Sequence, residues 1–267
     1  MTTHTSTLHR LDFQLSRTDY PTYAFMGVWV LSMITLPIIR WVWGEQIAIV
    51  WGVNATTLLQ AGLVTFILAR AWGIQRGLLT AASVVILTLL VEWMGSSSNF
   101  PFGAYDYTNA LQPQVAHVPV VIGFAWLMML PSSWAVAYLL NGQVYGGWRF
   151  IALSAFAMTA WDLFLDPQMV SWGLWVWEPV GRWSYFGIPF VNYLGWLGTT
   201  AVLTALLRPR DLPILPLVIV YALVWALQSF GQLFFWGLIG PAVVGCFGMG
   251  GFVWMVFQQW RKEPPHA

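Results

Sequence analysis

Between residues 23 and 258 the chain is a succession of apolar runs, each close to twenty residues long, separated by short polar or Gly/Pro-containing breaks. A helix needs about 20 residues to cross the hydrocarbon of a bilayer, with about 17 to 25 tolerated. The runs therefore predict membrane spans over 23–42, 47–69, 78–94, 118–140, 148–165, 188–207, 214–235 and 238–258. The last two form one apolar stretch too long for a single span, and Gly237, Gly240 and Pro241 supply the break between them. Without that break the count falls to seven. Only 8% of residues are charged, against roughly 25% in an ordinary soluble domain, and 19 are tryptophan, a residue that favours the membrane–water interface. The expected fold is all-α: one polytopic transmembrane helical bundle over 1–267, with polar tails at 1–20 and 261–267.

Charge orients this bundle. With the N-terminus inside, Arg10, Arg17, Arg70, Arg76, Arg149, Arg208, Arg210, Arg261 and Lys262 all fall on the inner side, leaving Arg40 and Arg182 outside. That asymmetry is what the positive-inside rule describes, and an even span count agrees with two basic tails. Both termini are expected in the cytoplasm, with the protein multi-pass in a bacterial cytoplasmic membrane. The first 20 residues lack the apolar core and small-residue cleavage site of a signal peptide and are expected to be retained.

Several function classes fall away. A net charge of +1 without a basic stripe gives no footing for nucleic acid. Cys246 is the single cysteine, and His117 the single histidine away from the tails, so no disulfide framework or multi-histidine metal centre can be built. No Gly-rich phosphate loop and no DDxxD-like cluster is present. No metal and no cofactor is expected.

What remains is a set of acids at one end. Glu92, Asp106, Asp162, Asp166 and Glu178 lie in the outer half, at the ends of the third and fifth spans or in the loops after them. Those loops, roughly 95–117 and 167–187, are the two long ones. Long loops in a compact protein are usually functional or disordered, and loops this aromatic are poor candidates for disorder. They are expected to fold back over the outer face. Glu92 lies 16 residues beyond Arg76, about 24 Å along a helix. An ionisable group at that depth is a functional candidate, or a carboxylate paired with Arg182. Asp162 and Asp166, in WDLFLDP, stack one turn apart on a helix, where repulsion keeps a proton on one of them. The bland alternative is a helix ending at Asp166, with a turn before Pro167. Asp106 and Glu178 read as weaker signals, Glu178 chiefly as a solvated loop charge, and Arg182 offers either a salt bridge. Tyr105, Tyr107, Tyr185 and Tyr193 are hydrogen-bond donors or interfacial belt residues. Asn192 is a polar group in a span and needs a partner.

Carboxylic acids, aromatic faces and a membrane-delivered apolar substrate suit one chemistry. Protonating an isolated alkene gives a tertiary cation that aromatic rings stabilise, and water or an internal double bond quenches it.

The segments ExxGxxxxFPFGAYDYT from Glu92, WDLFLDPQMVxxGxWxW from Trp161 and YFGIPFVNYLGW from Tyr185 together resemble the integral-membrane carotenoid biosynthesis family that contains the CruF-type carotenoid 1′,2′-hydratases. The likeness covers roughly residues 20 to 260. It implies cofactor-independent addition of water to the terminal C-1′,2′ double bond of an acyclic ψ end group, giving a tertiary alcohol. It also implies an acyclic or monocyclic carotenoid as substrate, the lipid bilayer as surroundings, and other carotenoid biosynthesis enzymes as partners. Glu92, Asp162 and Asp166 become the acid–base set, with Asp106 a fourth member. Trp161, Tyr105, Tyr107 and Tyr185 become walls of the end-group pocket.

Two rivals stay open. A lycopene-type cyclase uses the same protonation step in a drier pocket. Ser96, Ser97, Ser98, Asn99 and Asn192, as groups able to hold water, favour hydration over it. A non-catalytic carotenoid- or quinone-binding subunit explains the tryptophans but not the acids gathered at one end.

Overall fold

The computed structural model describes residues 19–178 and 183–262. It contains eight helices: α1 Tyr20–Trp43, α2 Glu45–Trp72, α3 Ile74–Ser98, α4 Val120–Leu140, α5 Gly147–Ser171, α6 Phe190–Leu207, α7 Ile214–Phe234 and α8 Ile239–Lys262. Each is long and apolar enough to cross a membrane, so the chain is an all-α polytopic bundle. The turns are short. Gly44 alone separates α1 from α2, and Gly73 alone separates α2 from α3, both with φ near +90°, a backbone that glycine adopts at little cost. The break before α8 falls where expected, at Gly237.

Helices α4 and α5 are the most enclosed, with α4 packed on α2, α3, α5 and α7, and α5 on α4, α6 and α8. Several helix ends run past their predicted limits, those of α3 and α5 beside the acids. Helix α3 continues to Ser98 because Ser96 and Ser98 donate back to the carbonyls of Glu92 and Met94, at 2.8 and 2.7 Å, and so stay compatible with helix. Helix α5 runs through Pro167 to Ser171, and the reading of Asp166 as a helix end before a turn is overturned. A proline at 167 cannot donate to the carbonyl of Leu163. The hydroxyl of Tyr185 donates to that carbonyl instead, at 3.1 Å.

The two long connections, after α3 and after α5, meet at one end of the bundle. Strand β1 (Tyr105–Tyr107) pairs antiparallel with β4 (Trp175–Trp177), and each connection closes with a small hairpin, β2–β3 (Gln114–Val115, Val118–Pro119) and β5–β6 (Ser184–Tyr185, Ile188–Pro189). The two connections are copies of one another at a constant offset of 70 residues. Tyr105 matches Trp175, Pro119 matches Pro189, and VPVVIGFAW ending at Trp126 matches IPFVNYLGW ending at Trp196. In the ribbon Asp106 pairs with Val176, its own counterpart. The indoles of Trp126 and Trp196 stack 4.0 Å apart. The loop-bearing end is thus built around a local pseudo-two-fold axis, and Glu92 and Asp162 occupy equivalent positions.

Candidate active site

Strand alternation aims the ribbon. Tyr105 and Tyr107 turn into the bundle and Asp106 between them turns out, because successive side chains point to opposite faces. Beneath them lies Glu92, buried on α3. Its Oε2 accepts the hydroxyls of Tyr105 at 2.6 Å and Tyr107 at 2.7 Å, and its Oε1 accepts the indole N–H of Trp126 at 2.9 Å. Burial first, and then the neighbouring Glu92, pushes both phenols well above their usual range. They remain neutral donors. An indole N–H can only donate, so three donors converge on one carboxylate, an arrangement that suits its ionised form.

On the other side of the tryptophan stack, α5 buries Asp162 and Asp166 one turn apart. The amide of Asn192 bridges them, donating to Oδ2 of Asp162 at 3.0 Å and to Oδ2 of Asp166. Asp162 Oδ1 has no hydrogen-bond partner among the described residues, and neither has the nearby Trp161 indole N–H. This centre therefore holds two close carboxyl groups on one shared amide, with the Trp175 indole as a further donor to Asp166. Glu92, by contrast, is a lone carboxylate with donors on both oxygens.

Both centres face one cavity of about 740 Å³, within the range of sites that enclose a sizeable organic ligand. Its walls are mainly apolar and aromatic, and Glu92, Asp166, Asn192, Tyr105, Tyr107 and Trp161 all reach it, whereas Asp162 is fully buried behind that wall and meets it only through Asp166 and Asn192. Trp161 meets Trp196 edge to face at 5.9 Å, and Trp196 in turn stacks on Trp126. These three indoles form a continuous π surface between the two acid centres.

Other expected residues lie elsewhere. Asp106 is exposed on the outer face of β1 and is not brought to Glu92. Tyr185 does not line the cavity; its hydroxyl is committed to the Leu163 carbonyl opened by Pro167. Tyr193 is buried behind the aspartates and also outside the cavity wall. Glu178 is exposed at the end of β4. Ser96, Ser97 and Ser98 close the last turn of α3, where Ser96 and Ser97 approach His117 at 3.0 and 3.5 Å. None of them faces the cavity, and neither does Asn99, so they lend hydration no support. Arg182, offered as a partner for Glu92, Asp106 or Glu178, lies outside the described residues, as do Arg10 and Arg17 of the tail. The tyrosines and Trp126 fill the place proposed for Arg182 at Glu92.

Sequence reasoning missed Trp126, Trp196 and Trp175. The signal that finds the first two is the 70-residue repeat: two spans of matching sequence each place a tryptophan seven residues after a proline.

A multi-span bundle with two dissimilar buried acid centres at one apolar, indole-lined cavity defines an integral-membrane protein with an enclosed site of apolar and aromatic character. The chain belongs to the carotenoid biosynthesis protein family, whose model matches residues 52–250. Among curated proteins it is similar to the bisanhydrobacterioruberin hydratase of Haloarcula japonica, with 30% identity over 128 residues. That match covers 45% of this chain and 43% of the relative, so less than half of the relative's length is spanned. No solved structure matches the chain.

Proposed function

We propose that this protein is a carotenoid hydratase, adding water across the terminal C-1′,2′ double bond of an acyclic end group to give a 1′-hydroxy carotenoid. The observation that carries this reading is the pairing, at one cavity, of a lone carboxylate with donors on both oxygens and a close pair of carboxyl groups that share one amide. Two carboxyl groups in environments that separate their protonation states are the usual basis of acid–base division of labour.

Two carboxyl groups sharing a buried site cannot both ionise readily, so the Asp162–Asp166 pair carries the proton. That proton passes to C-2′, and the π electrons of the double bond form the new C–H bond. The positive charge left on C-1′ stands against the faces of Trp161 and Trp196, an interaction worth about 2 kcal/mol or more in a desolvated site. Water adds its oxygen to C-1′ and gives up one proton to Glu92, which its three donors hold ready as a base. Return of that proton to the aspartate pair completes the cycle. The sum is alkene plus water to tertiary alcohol, with no redox change and no cofactor needed. Asn192 holds the aspartates in register, and Tyr105 and Tyr107 orient Glu92.

Expression in cells that accumulate an acyclic carotene, followed by mass spectrometry of the pigments, tests the reading. A gain of one water per modified end supports it. Unchanged mass with altered retention and spectrum replaces it with cyclisation by the same first step. Untouched pigment that co-purifies with the protein overturns both.

A further inference from the structure

Protein does not close the cavity on every side. Along α1 it is bounded by Ile34, Ile38 and Trp41, and along α7 by Ala226 and Phe230. The α1 residues follow one another at helical spacing, on a single stripe about 10 Å tall. Yet Ile34, Ile38, Trp41 and Phe230 are 52%, 47%, 69% and 57% exposed on the outside of the bundle. Side chains that line an interior cavity and also show half their surface outside mark the rim of an opening.

The opening lies between α1 and α7 and is clasped at the loop-bearing end. There Arg40 donates to the carbonyl of Phe235 at 3.1 Å, pairs with Glu45 at 2.9 Å and lies over the ring of Trp236 at 5.3 Å. The ring of Trp41 meets Phe235 at 5.8 Å. The gap thus faces the apolar flank of the bundle rather than the loops. Pro37 sits in the same stretch of α1 and faces the cavity. It cannot donate to the carbonyl of Met33, which leaves the helix easiest to bend beside the rim.

Cavity and substrate sizes complete the case. The cavity wall on α7 runs from Leu223 to Phe235, about 18 Å at helical rise. An extended carotenoid is comparable to the hydrocarbon thickness of a bilayer, about 30 Å. An end group fits; the whole molecule does not. We infer that the gap between α1 and α7 is a lateral portal through which the end group enters from the bilayer, the rest of the polyene staying threaded between the two helices and in the lipid. This rests on the reading of the site as one that acts on a carotenoid end. The portal makes selection depend on the end group and the few isoprene units behind it. Chains of different length are then equivalent, and each end is presented in a separate visit.

Cysteines placed at Ile34 and Phe230 in a Cys246→Ser background, bridged by a flexible bis-maleimide, test the portal by pigment binding rather than turnover. The probe is an acyclic C40 carotene with two ψ ends, read by its absorbance on the purified protein in lipid nanodiscs. Carotene loaded before bridging stays bound, whereas carotene offered afterwards binds at least tenfold less. Ala226→Trp, which fills the rim from α7, lowers binding similarly, and Val202→Trp on the outer face of α6 does not. Equal binding before and after bridging, together with full binding by Ala226→Trp, overturns the portal. Portal-dependent binding without any conversion overturns the hydratase reading and leaves the portal standing. Absence of binding by the unbridged protein overturns both.

Discussion

The two phenols on Glu92 give the sharpest quantitative expectation. Tyr105→Phe removes a 2.6 Å hydrogen bond from Oε2 while leaving the ring packed on Phe102, Tyr107 and Trp177. A hydrogen bond to a charged group is worth about 1.5–3 kcal/mol. Tyr107 still covers the same oxygen at 2.7 Å, so the single change belongs at the low end, about 1.5 kcal/mol, or roughly tenfold in rate. Removing both hydroxyls leaves Oε2 buried without a donor. The loss then includes the desolvation of an unpaired charged atom and exceeds the sum of the two singles, at least about 4 kcal/mol in total, or roughly a thousandfold. The assay is the initial rate of hydration in membranes, normalised to protein amount, for the wild type, each single variant and the double. Trp126 keeps Oε1 occupied in all four. A double variant as fast as the wild type, folded and equally abundant, refutes the assignment of Glu92 as an oriented base. Losses that simply add would show that the phenols act separately rather than on one shared oxygen.

Four other outcomes follow from the same geometry. Asp166→Asn is isosteric but removes the cavity-facing carboxyl of the pair proposed to carry the proton, and hydration should fall at least a hundredfold with the protein still folded, measured by pigment analysis and thermal unfolding. Asn192→Leu takes away the amide that bridges the aspartates and should lower the rate tenfold or more, with partial return in Asn192→Gln. Asp106→Asn should leave the rate within twofold, since that side chain points outward. Gly195→Ala places a Cβ 2.6 Å from the ring of Phe102 and 2.8 Å from the carbonyl of Pro101; overpacking of this kind costs about 1–3 kcal/mol, seen as a lower midpoint of thermal unfolding.

Much of the bundle is legible in the sequence because hydropathy reports directly on lipid contact. The helix ends of α3 and α5 are not, because local rules treat serine runs and proline as terminators. Distant or side-chain bonds override those rules here, the clearest being the hydroxyl of Tyr185 at the Leu163 carbonyl. Glu92, Asp162 and Asp166 stand out by being acids in apolar runs. Their partners do not, because an indole that binds a carboxylate and one that faces lipid are the same letter. Asp106 misleads for a related reason: it sits between two cavity-facing tyrosines, and strand alternation, invisible in a three-residue segment, turns it away. The serines show a similar weakness: Ser97 and Ser98 fall off the Glu92 face, and Ser96, one turn beyond Glu92, spends its hydroxyl on the Glu92 backbone carbonyl and His117.

The internal duplication has a consequence for how such a site can come to be asymmetric. In a homodimer with this local two-fold axis, any substitution strikes both acid centres at once. Here the two copies lie on one polypeptide, so each can change alone. The first has phenols over Glu92; the second has Asp166 where the first has Ser96, and Asn192 where the first has Ile122. Joining the halves in one chain is what permits two unlike acid centres to form beside a shared pair of tryptophans.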